Sequence, residues 1–218
     1  MLALLHTSPV HVPVFDALRD EDHPGLRLRH FVDEELLARA RRDGPGAVAG
    51  AVRDVLGRAA AEGAGAVLCT CSTIGGVAEA AGAAAGLPVL RVDRPMAAAA
   101  VAAGRRVVVV AAVRSTVAPT VALIEEEARR AGRPAEVSAV VADGAWARFE
   151  AGDRDGYVRE VAAVADRVRD ADAVVLAQAS MAPAASLTVT PLPVLASPRP
   201  GLAAAARAVA GEGGARDR

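Results

Sequence analysis

An α/β fold built as two pseudo-symmetric lobes, each a mostly parallel sheet flanked by helices, follows from three observations on the sequence. Short β-branched or leucine-rich runs alternate with longer alanine-rich stretches that carry arginine and glutamate at helical spacing, the pattern of parallel strands joined by helices. Hydrophobic residues reach 53% while aromatic residues reach only 2%, so the core has to be packed closely from Ala, Val and Leu. The third observation is a long internal repeat. Ala66 to Thr73 reads AVLCTCST, then comes a helix and LPVLRVDRPMAAAA from Leu87; Ala173 to Ser180 reads AVVLAQAS, then comes a short helix and LPVLASPRPGLAAAA from Leu192. Strand, helix, strand and helix thus recur at a spacing of about 105 residues, which reports architecture before any single residue does.

Each element has its own justification. Strands are predicted at Leu2 to His6, Leu26 to Phe31, Ala66 to Thr70, Val89 to Val92, Val107 to Val113, Glu136 to Val141, Ala173 to Ala177 and Val194 to Ala196, the short β-branched or leucine-rich runs of the chain. The clearest helices are Pro45 to Glu62, Val77 to Ala85, Met96 to Ala103, Val117 to Ala131 and Arg154 to Arg169, the last capped by Asp153. Gly86, Gly104 and Gly132 follow helices, as C-terminal glycines do. GPGAVAG at Gly44 to Gly50 mimics a dinucleotide loop but follows Arg41-Arg42-Asp43 and not a strand, so it reads as a helix start. Asp33, Glu34, Glu35, Arg39 and Arg41 form a solvated helix face. The repeat divides 218 residues into two Rossmann-like lobes, residues 1–95 with 198–218 carrying Cys71, and residues 96–197 carrying Gln178. The tail GEGGARDR reads as disordered.

Composition excludes several classes of function. The net charge is −1, which leaves no basic field for nucleic acid or an anionic membrane. The scarcity of aromatic rings removes the stacking platforms of single-strand binders. The chain contains no lysine and no asparagine, so all 25 basic side chains are arginine and no lysine is available for a Schiff base or a P-loop. Residues 173–198 are uncharged but are broken by Gln178, Pro183, Pro191 and Pro193, so they do not form a membrane span. Cys69 and Cys71 are the only cysteines, too few for a disulfide framework, and the N-terminus MLALLHTSPV lacks a cationic region; both point to a reducing, cytoplasmic setting.

Parallel sheets present ligands to the carboxyl ends of their strands, where helix N-termini point free amides at anions. Four segments fall there: HTSP after the first strand, CSTIGG after the third, RST after the fifth and QASM after the seventh. Cys71 stands where strand turns to helix, in the field that favours a thiolate, and the Gly75-Gly76 pair after it reads as room for a ligand to approach the backbone. The alternative reading of Cys71 is a small buried hydrophobe, and for Cys69 inside the strand that reading is preferred. Thr7, Ser8, Ser72, Thr73, Ser115, Thr116 and Ser180 are candidate donors to a carboxylate, or plain helix caps. His6 and His11 flank the first loop, and one of them is a candidate acid or base. Arg114 reads as a solvated loop charge. The four histidines show no paired ligand spacing, so no metal is assigned.

The strand ending in Cys71-Ser72-Thr73, together with a second such strand in the other half, resembles the aspartate/glutamate racemase superfamily, which includes amino-acid racemases, hydantoin racemases, maleate isomerase and arylmalonate decarboxylase. The resemblance runs from HTSP through AVRST to VLAQASM and LPVLASP. It implies a two-lobed fold without a cofactor, a homodimer, and one cysteine from each lobe on opposite faces of a small carboxylate held in a cleft. Here the chain departs from the pattern. Aligning the uncharged strands sets Gln178 opposite Cys71; aligning the serines sets Ala179 there, and neither is a thiol. An amide cannot move a proton at neutral pH, which disfavours a racemase with two thiol bases. The expectation is therefore an isomerase acting through Cys71 alone, with Gln178 in the place of its twin. A carbon–carbon lyase and a non-catalytic carboxylate-binding protein are the alternatives.

Overall fold

The computed structural model describes residues 1–211, so the tail from Glu212 lies outside the described residues. The chain forms two compact units, one of Met1–Val92 with the segment from Pro198 onward and one of Asp93–Ser197.

The first unit runs β1 (Leu2–His6), a 3₁₀ turn at Pro9–His11, α1 (Val12–Asp22), β2 (Leu28–Val32), α2 (Glu34–Asp43), a second 3₁₀ turn at Pro45–Val48, α3 (Ala49–Ala61), β3 (Ala66–Cys69), α4 (Ser72–Ala85) and β4 (Val89–Arg91). Its four strands are parallel in the order β2-β1-β3-β4. Side chains alternate across the sheet as the pleat requires. Ala3, Leu5, Val67 and Cys69 pack with residues of α2, α3 and α4 on one face, while Leu2, Leu4, Ala66 and Leu68 pack with Phe15 and Leu202 on the other. Both faces being covered, β1 and β3 are buried at every position and, His6 at the end of β1 apart, apolar throughout, which explains their hydrophobic runs.

The second unit contains α5 (Arg94–Ala103), β5 (Arg106–Ala111), a 3₁₀ turn at Arg114–Thr116, α6 (Val117–Arg130), β6 (Glu136–Val141), α7 (Ala145–Glu150), α8 (Arg154–Ala165), β7 (Ala173–Leu176), a 3₁₀ run at Ala179–Ser186 and β8 (Val194–Ala196). Its order, β6-β5-β7-β8, again all parallel, repeats the first. The helix after each fourth strand belongs to the other unit. Met96, Ala97, Ala100 and Val101 of α5 pack on Val107, Val109 and Val175. The helix after β8, α9 (Pro198–Val209), sets Leu202 and Ala205 against Leu2, Leu4 and Val92 of the first unit, where Arg199 pairs with Glu21 and Asp22.

Most elements lie within a residue or two of their predicted limits, and the departures have local causes. β2 starts at Leu28 and not Leu26, because the Leu26 amide closes a turn on His23 O at 3.0 Å. α8 stops at Ala165, short of Arg169, where Arg167 and Val168 bond back to Val164 and Ala165 in a tighter turn. The cap is as read: the Asp153 carboxylate accepts from the Gly156 amide at 2.9 Å. Gly104 leaves α5 in extended backbone; a Cβ there would lie 2.3 Å from that of Asp172, so close approach and not a left-handed turn requires glycine. Among the described residues no helix is long and apolar enough to cross a membrane.

Candidate functional site

The carboxyl ends of β1 and β3 lie side by side in the first unit, because Leu5 pairs with Cys69 in the parallel ladder. This brings together Thr7 and Ser8 after β1 and Cys71, Ser72 and Thr73 after β3. Cys71 holds extended backbone (φ −113°, ψ 116°) as the residue that caps α4, and its half-buried side chain packs on the apolar core. Cys69, two residues earlier, is fully buried and its thiol donates to the Cys71 carbonyl at 3.7 Å, so its part is to hold the backbone of its neighbour. Thr7, Ser72 and Thr73 are buried, and the Thr73 hydroxyl has no hydrogen-bond partner.

α4 begins at Ser72, five residues before the predicted Val77, and therefore includes Gly75 and Gly76. Gly75 serves the protein's own packing. A Cβ at Gly75 would lie 2.7 Å from Nε and 2.9 Å from Cγ of the buried Arg91, whose Nη2 donates to Ser72 O at 3.5 Å. The room expected for a ligand is filled by a guanidinium stem.

Sequence reasoning missed a chain of polar side chains behind the cysteine loop. His6, fully buried at the end of β1, places Nδ1 2.8 Å from the Thr70 hydroxyl and Nε2 2.9 Å from Nδ1 of His30, whose Nε2 lies 3.3 Å from the Asp16 carboxylate. The Thr70 hydroxyl donates to Leu5 O at 3.1 Å, so it accepts from Nδ1–H of His6, and Nε2 of the neutral His6 ring in turn accepts from Nδ1–H of His30. The two rings stack at 5.1 Å, and Phe15 approaches His6 at 5.7 Å. Burial, with the neighbouring His30 and His11 adding to it, pushes His6 down from 6.5 to about 3, so this ring is a neutral scaffold group and not a surface base. The available signal was two histidines at the carboxyl ends of two predicted strands, His6 and His30.

The second unit repeats the geometry with different chemistry. Val110 pairs with Leu176, which sets Gln178, not Ala179, at the position of Cys71. Gln178 is likewise the extended residue (φ −126°, ψ 141°) before a helical turn. Its Oε1 accepts from the Ala112 amide at 2.7 Å and the Val113 amide at 3.2 Å, which ends β5 at Ala111, two residues before the predicted Val113. Thr116 donates to Val113 O at 2.7 Å, a bond back into the preceding turn and not a helix cap, whereas the buried Ser115 hydroxyl has no partner. Ser180 shares a 2.8 Å hydrogen bond with Tyr157, whose hydroxyl burial pushes up to about 12. Arg114 meets Asp143 at 3.4 Å on an exposed surface. Among the described residues, no group of three or more His, Cys, Asp or Glu side chains is arranged to hold a metal ion.

Residues 12–209 match the family model described as Asp/Glu/Hydantoin racemase. A comparison with curated proteins finds no match. Among solved structures, a glutamate racemase from Thermus thermophilus superposes with a TM-score of 0.70 at 21% identity, over 100% of this chain and 83% of that one. A glutamate racemase from Bacillus anthracis gives 0.74 at 14% identity, over 98% and 82%. A variant of arylmalonate decarboxylase in its sulfate-associated form gives 0.62 at 21%, over 100% and 95%. At these identities the likeness is one of fold.

Proposed function

Because the chain belongs to the Asp/Glu/hydantoin racemase family, we propose that it is an isomerase of small carboxylates working through one thiol, that of Cys71. The observation that carries this reading is the difference between the two strand ends. A half-buried cysteine caps α4 beside Thr7 and Ser8, while the matching turn of the second unit holds Gln178 with its oxygen engaged by two amides. Racemisation by two bases needs a proton-transferring group at each, and an amide is not one.

A single thiolate suits addition and elimination on a small unsaturated carboxylate. The sulfur bonds to one alkene carbon, and the π pair moves onto the carbon next to the carboxylate, where it is spread as an enolate. Rotation about the new single bond follows; the pair then re-forms the double bond and expels the thiolate, with no net gain or loss of protons. The charge that develops falls on the carboxylate oxygens. The amides at the start of α4 and the hydroxyls of Ser72 and Thr73 are the groups that stabilise it.

Small cis and trans unsaturated dicarboxylates, followed by proton NMR in deuterated buffer, test the proposal. Interconversion without deuterium in the product is expected, with a loss of at least about a thousandfold in Cys71→Ser. Deuterium beside the carboxylate would replace addition by proton transfer at the same cysteine, and release of carbon dioxide from a malonate would identify a lyase. Undiminished turnover in Cys71→Ser would overturn the assignment.

A further inference from the structure

The loops after β1 and β5 correspond residue by residue. Leu5 pairs with Cys69 and Val110 with Leu176, so two residues further on Thr7 falls opposite Cys71 and Ala112 opposite Gln178. The flanking bonds repeat: Thr70 N donates to Leu5 O at 3.0 Å and Ala177 N to Val110 O at 2.9 Å, while Asp33 N donates to His6 O at 2.9 Å and Ala142 N to Ala111 O at 2.8 Å. Both loops then enter a three-residue 3₁₀ turn. They differ in one respect. In the second unit the Ala112 and Val113 amides converge on one oxygen, Oε1 of Gln178. Their counterparts, the amides of Thr7 and Ser8, donate to no acceptor among the described residues, and the side chain across from them is a cysteine, which has no oxygen to offer. Thr73, in the first turn of α4, adds a buried hydroxyl without a partner.

We infer that the Thr7 and Ser8 amides form a cradle for one carboxylate oxygen beside the Cys71 sulfur, and that Gln178 is a built-in ligand that fills the equivalent cradle of the second unit. Amides left without an acceptor are unfavourable, so each unit needs an oxygen at this place. In the second unit the chain supplies it, without the entropy loss of binding a free molecule. In the first unit it comes from the ligand, and a carboxylate is a stronger acceptor than a neutral amide. The protein thus binds one carboxylate at its thiol-bearing end and cannot bind a second at the matching position. This inference rests on the proposed function and narrows it, by naming the groups that grip the reacting carboxylate.

Amide NMR of the ¹⁵N-labelled full chain, with malonate as the probe, tests it. Malonate is expected to shift the Thr7 and Ser8 resonances progressively and to leave those of Ala112 and Val113 in place. In Gln178→Met, which removes the acceptor and keeps the bulk, Ala112 and Val113 are expected to respond to malonate as well. Should that variant not fold, Gln178→Glu refills the cradle with a charged oxygen, and its Ala112 and Val113 amide protons should move downfield and stay indifferent to malonate. Ala112 and Val113 resonances that ignore malonate in Gln178→Met, or that keep their wild-type positions in Gln178→Glu, would overturn the built-in ligand. If malonate slows alkylation of Cys71 by iodoacetamide but leaves Thr7 and Ser8 unmoved, the cradle is wrong and the proposed site stands; if it does neither, both fall.

Discussion

Acid should destabilise this protein through His6, by an amount that can be separated from every other titration. The ring is fully buried between Thr70 and His30 and is pushed from 6.5 to about 3 by that burial, His30 and His11 contributing after it. The folded state therefore resists a proton that the unfolded chain accepts. With the folded pKa below the unfolded one, the stabilising contribution is complete above about pH 6.5 and is lost as pH falls from there toward about 3. Each pH unit in this window costs about 1.36 kcal/mol, so moving from neutrality to about pH 5 removes roughly 2 kcal/mol through this one ring. Glu62, held low by Arg29, and Asp153 and Asp172, held low first by the amides of Gly156 and Arg106, add acid sensitivity of the same sign. Those groups are shared by wild type and His6→Asn, and so cancel between them. The assay is urea unfolding followed by far-ultraviolet circular dichroism on both proteins at the two pH values, since the only tryptophan, Trp146, belongs to the second unit. His6→Asn starts from a lower stability, having lost its contacts, but should lose roughly 2 kcal/mol less than wild type on acidification. Equal losses in the two proteins would refute the claim that a neutral, buried His6 is part of the fold.

Two further perturbations probe the packing around the loops. Gly75→Ala sets a methyl against Nε and Cγ of Arg91, which lie too close to the start of that side chain to swing aside, and should cost about 1–3 kcal/mol in the same unfolding assay; a neutral effect would show that Arg91 can leave its bed. Tyr157 is the only tyrosine, so the absorbance of its phenolate reports one group; it should titrate near 12 and not at the ordinary 10.0. Its folded pKa lies above the unfolded one, so its stabilising contribution is present below about pH 10 and is lost between there and about 12. Ser180→Ala, which removes the hydrogen bond that partly offsets burial, should raise the value further, and an unchanged value would show that the 2.8 Å contact does not act on the phenolate.

The sequence alone carried the alternation of strands and helices, the repeat of AVLCTCST and LPVL by AVVLAQAS and LPVL, and the position of Cys71 at a junction of strand and helix. These are legible because they depend on local quantities: side-chain branching, apolar periodicity, and the preference of Asp153 for a cap. What it left open depends on which residues meet across a ladder. Gln178 and Ala179 are equally good partners for Cys71 on paper; the pairing of Val110 with Leu176 decides between them. Gly75 and Gly76 read as an opening because nothing in their own segment announces Arg91, which arrives from the next strand. His6, His30 and Asp16 carry no shared motif, and only the parallel register of β1 with β2 brings the two rings into contact. Likewise, the exchange of α5 and α9 between units is settled by which apolar face each helix finds, not by the helices' own alanine-rich sequences. A short stretch of chain fixes its own dihedral preferences and its apolar stripe, whereas the identity of a partner some 65 residues away is fixed only when the sheet forms and one register buries more than any other.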